Sequence, residues 1–360
     1  MAITASMVKE LRELTGAGMM DCKKALTETN GDMDAAVEVL KKSGAAKAEK
    51  KAARIAAEGI AKVAIDGNTA VVVEVNSETD FVAKNAIFQE FVQAVADKAL
   101  TVDTEKAGDG EDVVSILDMK ADLDDKILKI GEKISIRRFE KVTADVVASY
   151  IHGGGRIGVL VAGNGVSDDA AKEALTNIAM QIAAMNPQYI SRDEISADEL
   201  AKMKEITIDS ALNDPFSLPK PVLSKLIEKA VAGVWSAEDV AIYEEKKSNM
   251  NFLPNFLSKE AKAQLAEIAC ADKEEISGNK IFSGLVEGRI SKQMKEICLL
   301  DQGYVKAEDG KQTVAAYLKS VNPALKIAKF VRFEVGEGIE KAANDFESEV
   351  AATMAAALNN

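Results

Sequence analysis

The feature that most constrains the fold is an internal repeat, in which two stretches of the chain present the same order of predicted elements. The first copy begins with two apolar strands, near 60–65 and 71–75, joined by an Asp-Gly-Asn turn at 66–68. A helix over about 83–100 follows, and a later strand occupies 134–140. This order predicts a β-hairpin, a helix that covers it and a returning strand.

The second copy repeats this order with a longer interruption. Strands are predicted near 146–152 and 157–161 with a glycine turn between them, and a helix follows over about 169–184. Its last strand, 330–334, comes much later in the chain and ends on the same Arg-Phe-Glu sequence as the first copy. Two helix-covered hairpins predict an α+β fold with a duplicated antiparallel-sheet core and covering helices.

Helical periodicity and turn residues divide the chain into further segments. Three short amphipathic stretches near the N-terminus predict a compact three-helix module, and prolines interrupt the long excursion within the second copy. The predicted domains are the three-helix module (1–55), the first half of the core (56–142), the second half of the core (143–196 and 298–342), a protruding helical arm (197–297) with an inserted helical subdomain (214–277), and a C-terminal helical module (343–360).

The charge of the chain argues against a nucleic-acid partner. Its 360 residues carry a formal net charge of −13, whereas phosphate contacts require a basic face. Residues 1–55 hold ten basic and eight acidic side chains, so the excess negative charge lies in the remainder of the chain. An acidic body with a slightly basic N-terminal module predicts protein partners and no direct nucleic-acid binding.

The sequence does not predict export or membrane insertion. No apolar run approaches the length needed to cross a bilayer. The N-terminus lacks the basic start, the apolar stretch and the cleavage site of a signal peptide. Cys22, Cys270 and Cys298 are too widely separated to indicate a disulfide framework or a metal site. We therefore expect a cytoplasmic protein that makes no membrane contact.

One stretch, 79–85, places an acid beside a large aromatic residue between a strand and a helix. Thr79 is a predicted N-cap, because its hydroxyl can accept a hydrogen bond from the first helical turn. Two interpretations remain open for Phe81. It packs in the core beneath a plain capped helix, or it projects with Asp80 as a rigid probe that enters another protein.

Two patterns suggest chemistry, and both have simpler explanations. The glycines at 153–158 match the spacing of a dinucleotide-binding loop, but such a loop leads into a helix, and here the following residues predict a strand. A hairpin turn explains the glycines better. His152 is the only histidine, and it has no serine or cysteine pattern near it that would make it a catalytic base. We predict no enzyme active site, no cofactor and no metal.

Four motifs in the expected order resemble the bacterial elongation factor Ts family. The resemblance covers most of 1–190 and 278–355. The motifs are LRELTGAGMMDCKKAL at 11–26, EVNSETDFVAKN at 74–85, SYIHGGGRIGVLV at 149–161 and FVRFEVGEGIEK at 330–341.

The resemblance implies a guanine-nucleotide exchange factor that acts during translation elongation. Such a factor binds elongation factor Tu in its GDP-bound and nucleotide-free states and promotes GDP release without a chemical active site of its own. In the family, an acid–phenylalanine pair enters the nucleotide-binding domain of Tu and displaces the elements that hold the magnesium ion. In this sequence the corresponding residues are Thr79, Asp80, Phe81 and Val82.

Further partner contacts also follow from the resemblance. The N-terminal module, which is UBA-like in the family, and the C-terminal helix would grip the nucleotide-binding domain, while the second half of the core would touch another domain of Tu. The residues expected at these contacts are Arg12, Gly16, Gly18, Met19, Met20, His152 and Gly153.

Two departures from the family pattern concern the helical arm and the segment after it. Residues 214–277 look like an insertion in the arm, through which family members form homodimers, and Gly303 stands where the family has proline. An alternative to the exchange factor is therefore a non-catalytic scaffold, in which the helical module and the inserted subdomain recruit a partner.

Overall fold

A computed structural model describes residues 3–108, 111–308 and 310–340. The chain forms two compact units. One comprises the described parts of Met1–Asn186 and Ala316–Asn360, and the other is Pro187–Ala315. The chain combines helices with two antiparallel sheets, which confirms the predicted α+β fold.

The elements occur in a single order along the chain. The helices are α1 (Ala5–Thr15), α2 (Met19–Glu28), α3 (Met33–Lys51), α4 (Asp80–Ala83), α5 (Ala86–Thr101), α6 (Val113–Ile116), α7 (Lys120–Ile130), α8 (Asp169–Met185), α9 (Ala197–Asn213), α10 (Lys220–Val231), α11 (Ala237–Lys246), α12 (Lys259–Ala271), α13 (Lys273–Ser277), α14 (Lys280–Ile297) and α15 (Val314–Val321). The strands are β1 (Glu58–Asp66), β2 (Thr69–Ser77), β3 (Lys106–Ala107), β4 (Ile134–Thr143), β5 (Val146–His152), β6 (Ile157–Asn164) and β7 (Lys326–Glu334).

The first half of the core is a four-stranded antiparallel sheet with the order β1-β2-β4-β3. The central strand β2 is buried along almost its whole length. A strand that is covered on both faces needs apolar residues at successive positions rather than alternate ones. This explains why the run of valines at 71–73 lies in one strand.

The second half is a three-stranded antiparallel sheet with the order β5-β6-β7. The glycines at 153–155 join β5 to β6, and all three have positive φ angles, between 59° and 103°. Left-handed backbone of this kind favours glycine because it has no Cβ. The predicted hairpin turn is therefore confirmed, and the glycines do not lead into a helix.

The two sheets pack face to face inside the first unit. Apolar side chains from both sheets, among them Val72, Leu160 and Phe333, form a shared core. Helix α5 covers the outer face of the first sheet through Phe88 and Phe91, and α8 covers β5 and β6 of the second sheet. The duplicated halves thus form four layers, in the order helix, sheet, sheet, helix.

A buried carboxylate joins β2 to the segment that follows β7. The Glu74 side chain is fully buried, and its Oε1 accepts hydrogen bonds from Arg137 at 3.0 Å and from the backbone N–H of Gly336 at 2.8 Å. Its Oε2 accepts from Nε of Arg138 at 2.6 Å, and that guanidinium lies over the ring of Phe333. A buried charge needs such partners to offset its desolvation, so this network fixes how the two halves meet.

The N-terminal module has its own small core, formed by residues of α1, α2 and α3. Cys22 lies in it, and burial raises the pKa of its thiol. Helix α3 is longer than the short stretch that the sequence predicts, since it runs through Gly44 without a break to Lys51. The reason is packing: Gly44 is buried against α7, and α7 also contributes Leu128 to the core of the module.

The second unit, Pro187–Ala315, is largely helical. Residues of α9, α10, α12 and α14 share one hydrophobic core, so the predicted arm and its inserted subdomain pack as a single body rather than as two. The unit also extends beyond the predicted arm at both ends. The predicted C-terminal helical module, 343–360, lies outside the described residues.

Candidate functional site

The site predicted at 79–82 lies on α4, a single helical turn that follows the end of β2. The helix contains only Asp80, Phe81, Val82 and Ala83. An isolated turn of four residues is unstable in water, because nucleating a helix fixes several dihedral angles for one hydrogen bond. Contacts at both ends of α4 must therefore hold it in place.

Thr79 occupies the N-cap position, but its side chain does not make the predicted capping hydrogen bond. Its hydroxyl donates instead to Oε1 of Glu132 at 2.7 Å, and its backbone N–H donates to Oε2 of the same carboxylate at 3.0 Å. The prediction of a capping threonine is wrong in this respect, because an ionised acceptor competes successfully with the helix amides for the hydroxyl.

A second glutamate completes this contact in the opposite direction. Oε1 of Glu78 accepts the backbone N–H of Lys133 at 2.5 Å, and the carboxylate also accepts from the guanidinium of Arg54 at 3.2 Å. Residues 78–79 and 132–133 therefore exchange hydrogen bonds through their acidic side chains. We call this set, formed by Glu78, Thr79, Glu132 and Lys133, the carboxylate clamp.

Phe81 and Val82 point in opposite directions. The Val82 side chain is buried and joins the core under the first sheet. Phe81 is 78% exposed, so the interpretation that placed it in the core is wrong. Phe81 is the most exposed of the large apolar side chains in the described part of the chain, although the turn that carries it is anchored.

Asp80 and Lys84 flank Phe81 on the surface. Nζ of Lys84 donates to Oδ2 of Asp80 at 2.7 Å, one helical turn away, and this hydrogen bond lowers the pKa of the Asp80 carboxyl. The same Nζ lies 5.9 Å from the centre of the Phe81 ring. Asp80 therefore carries a full negative charge at neutral pH, and both side chains of this exposed pair remain open to water.

The C-terminal end of α4 is also fixed. The backbone N–H groups of Lys84 and Asn85 donate to the carbonyls of Phe81 and Val82. The Asn85 side chain then caps a new helix by accepting the N–H of Ile87 at 2.9 Å. The predicted helix over 83–100 is thus wrong at its start, since the chain breaks at 84–85 and α5 begins at Ala86.

Five of the other predicted contact residues lie together in the N-terminal module, around the turn between α1 and α2. Arg12, Gly16, Gly18, Met19 and Met20 are all exposed. Gly16 ends α1 with a left-handed backbone, and Gly18 occupies the N-cap of α2. The adjacent Leu14 is exposed as well. Leu14, Met19 and Met20 are thus three exposed apolar side chains within seven residues, and we call this set the methionine patch.

The last two predicted residues, His152 and Gly153, lie at the exposed turn between β5 and β6. Nδ1 of His152 shares a hydrogen bond of 3.1 Å with the hydroxyl of Tyr150, and the two rings are tilted 5.9 Å apart. The structure therefore distributes the predicted residues over three surfaces, namely α4, the methionine patch and this hairpin turn. Binding a folded partner suits this distribution better than chemistry in a single pocket does.

The described residues offer no group of three or more His, Cys, Asp or Glu side chains arranged to hold a metal ion. A search of the described residues also finds no helix with the length and apolar character required to cross a membrane. The carboxylates around α4 are engaged in hydrogen bonds within the chain.

Sequence reasoning missed Glu132, Glu78 and Lys84. Lys84 carried a local signal, because it follows Asp80 at the i,i+4 spacing of a helical ion pair. Glu132 had none, since it lies 53 residues after Thr79 in the sequence. Only the return of β4 beside β2 brings the two residues together.

Comparison with known proteins identifies the class. The sequence matches the family model for Elongation factor TS over residues 78–246 and 247–337. An Elongation factor Ts from Clostridioides difficile (strain 630) is 42% identical over 357 residues, which cover 97% of this chain and 98% of that protein. An Elongation factor Ts from Streptococcus mutans (serotype c) is 44% identical over 375 residues, which cover 99% of each chain.

These matches define the chain as a translation elongation factor. The matched family residues include α4 and all of the second unit. The chain belongs to the elongation factor Ts family.

Proposed function

We propose that this chain is a guanine-nucleotide exchange factor that binds elongation factor Tu in its GDP-bound form and promotes GDP release. The observation that supports this most directly is the exposure of Phe81, 78% of whose side chain faces water on an anchored turn. Its neighbours in the chain, Thr79 and Val82, hold that turn through the carboxylate clamp and the core.

The energetics favour insertion of Phe81 into an apolar pocket. Moving a phenylalanine side chain from water to an apolar environment contributes about 1.5–3 kcal/mol. Because α4 is already fixed at both ends, little conformational entropy is lost when the side chain enters a partner. Phe81 thus acts as a preorganised wedge.

Asp80 supplies charge beside this wedge. Its carboxylate is ionised at neutral pH, as aspartate ordinarily is, and the hydrogen bond from Lys84 lowers its pKa further. An exposed ion pair of this kind contributes little in water, so Asp80 can exchange Lys84 for a donor on the partner. In a GTPase the magnesium ion links the nucleotide phosphates to nearby loops. A carboxylate that draws those loops aside weakens the binding of both the ion and the nucleotide.

An exchange factor acts only through differential affinity. It must bind nucleotide-free Tu more tightly than Tu·GDP, since a partner shifts an equilibrium by no more than the difference between its affinities for the two states. We assign that difference to Asp80 and Phe81. The methionine patch and the hairpin turn at His152 and Gly153 supply affinity that both states share, and no chemical active site of the chain's own takes part.

The setting follows from the same assignment. A factor for Tu works beside the ribosome, so we expect a cytoplasmic protein. The net charge of −13 supports protein contacts rather than direct contacts with nucleic acid. Homodimer formation through the helical arm, and any role of residues 214–277 in it, stays a prediction.

Catalytic turnover tests the proposed function. Elongation factor Tu loaded with a fluorescent GDP is mixed with excess unlabelled GDP and with one hundredth of an equivalent of this chain. We expect many equivalents of labelled GDP to be released by each copy of the chain. Binding to Tu without any acceleration of release would support the scaffold instead and would overturn the exchange factor. Measuring Tu alone gives the control rate.

A further inference from the structure

The orientation of Phe81 depends on a residue outside its own motif. Helix α4 is a single turn, so its direction is set by what holds its two ends. Its C-terminal end is held by local backbone hydrogen bonds. Its N-terminal end is held by Glu132, whose carboxylate receives both the N–H and the hydroxyl of Thr79.

We propose that Glu132 is a positioning residue for nucleotide exchange, acting through Thr79 to aim Phe81 at the partner. This inference rests on the proposed exchange function. It extends the working residues beyond 79–82 to a glutamate on a different element, which touches neither the nucleotide nor the inserted side chains.

The geometry of the carboxylate clamp supports a positioning role. The two bonds from Thr79 end on different oxygens of the same carboxylate, at 3.0 and 2.7 Å, so they fix the rotation of the residue as well as its distance. The Ser77 hydroxyl adds a third bond by donating to the carbonyl of Thr79 at 3.0 Å. Bonds to an ionised acceptor are about twice as strong as those between neutral groups.

The position of Glu132 is set by the elements on either side of it. It follows Gly131, the left-handed residue that ends α7, and it precedes β4. Helix α7 also places Leu128 in the core of the N-terminal module. Glu132 therefore lies two residues after the helix that packs against the N-terminal module, so the same part of the fold supports both predicted contact surfaces.

The duplicated half of the core shows that the clamp is not needed to join strand to helix. There, residues 165–168 lead from β6 to α8, and Asp168 caps α8 by accepting the N–H of Ala171 at 2.8 Å. The carboxylate of Asp145 accepts the N–H of Gly165, but the chain forms no helical turn between the end of β6 and the start of α8. The clamp accompanies α4, and we assign it to the function of α4 rather than to the shared scaffold.

The test compares variants of the full-length chain. Glu132→Ala removes both acceptors, Glu132→Gln keeps one oxygen, and Thr79→Val removes only the hydroxyl. Glu90→Ala is the matched control, because it removes an exposed carboxylate from α5. Each variant is also made in the Phe81→Ala background. The first measurement is hydrogen exchange of the amides in 77–87 in the free chain, and the second is the saturating rate of fluorescent GDP release from Tu.

We expect Glu132→Ala to speed amide exchange at 78–85 and to lower the saturating release rate about tenfold. Glu132→Gln and Thr79→Val should fall between Glu132→Ala and the unmodified chain, and Glu90→Ala should match the unmodified chain. In the Phe81→Ala background the substitution at Glu132 should cause a smaller loss of rate, because the part of its effect that passes through Phe81 is already absent and only the part that passes through Asp80 remains.

Three results would overturn the assignment, and they are distinguishable. If the unmodified chain does not accelerate release, both the exchange function and the role of Glu132 are wrong. If the unmodified chain accelerates release and Glu132→Ala does so equally well, exchange stands and positioning fails. An equal loss from Glu132→Ala with and without Phe81 would mean that the carboxylate only stabilises the fold.

Discussion

Phe81 and Val82 are adjacent apolar residues with opposite surroundings, the first exposed and the second buried. Neighbouring side chains on a helix lie about 100° apart, so a turn at the surface can bury one of them and expose the other. The sequence leaves the choice open because a single turn is too short to show a helical period. Thr79 presents the same problem, since a capping pattern cannot reveal that Glu132, distant in sequence, offers a better acceptor.

The different burial of two phenylalanines predicts different effects on stability. Phe81→Ala should change the free energy of unfolding by less than about 0.5 kcal/mol, because the side chain is largely in water. Phe88→Ala is the matched comparison and should cost about 3–5 kcal/mol, because that side chain is fully buried. Urea unfolding followed by circular dichroism measures both. A loss of several kcal/mol for Phe81→Ala would mean that Phe81 packs in the core.

Strands and long helices of the repeat were predictable because their periodic patterns run over many residues. All the strands of the two hairpins and both covering helices lie where the patterns placed them, apart from their ends. The short elements β3, α6 and α7 were missed. Two residues of strand or one turn of helix carry no period, and α7 owes its place to contacts with α3, which is far away in sequence.

The turn after β7 contains two glycines, Gly336 and Gly338, that are required for different reasons. Gly336 and Gly338 have similar left-handed φ angles of 76° and 74°. A Cβ at Gly336 would lie 2.2 Å from the carbonyl oxygen of Ala57, whereas one at Gly338 would meet only a guanidinium nitrogen of Arg137 at 3.9 Å. The two alanine substitutions therefore share the backbone strain and differ in the steric clash.

We expect Gly338→Ala to cost about 1–2 kcal/mol from backbone strain alone. Gly336→Ala should cost at least about 3 kcal/mol, because relieving the clash also withdraws the N–H that Gly336 donates to the buried Glu74. Thermal or urea unfolding of the two variants makes the comparison. Equal losses of unfolding free energy in the two variants would show that the turn can shift to relieve the clash, and that its hydrogen bond to Glu74 does not hold it in place.

The whole molecule consists of two units, each with a hydrophobic core of its own. The sequence indicated a helical excursion within the second half of the core but divided it into an arm and an insertion. Long-range packing decides such a division, and the structure gathers α9, α10, α12 and α14 around a single core. Prolines in a sequence predict where turns occur. A turn can lie within one hydrophobic core, so it does not by itself mark a boundary between two subdomains.

The only tryptophan provides a local probe of the second unit. Trp235 is buried there, and its indole N–H donates to the carbonyl of Ala261 at 2.9 Å. Leu265→Ala, in the same core, should lower the urea midpoint of tryptophan fluorescence by on the order of 1 M. Phe88→Ala, in the core of the first unit, should leave that midpoint unchanged. Equal shifts from both variants would show that the two units unfold as one.

The rate of nucleotide release from elongation factor Tu at saturating concentrations of the chain tests the central claim most directly. The comparison is between the unmodified chain, Phe81→Ala and the control Phe252→Ala, which removes an exposed phenylalanine from the second unit. We predict that Phe81→Ala lowers the saturating rate about tenfold or more, while Phe252→Ala leaves it unchanged. An unchanged rate with Phe81→Ala would contradict the role assigned to Phe81.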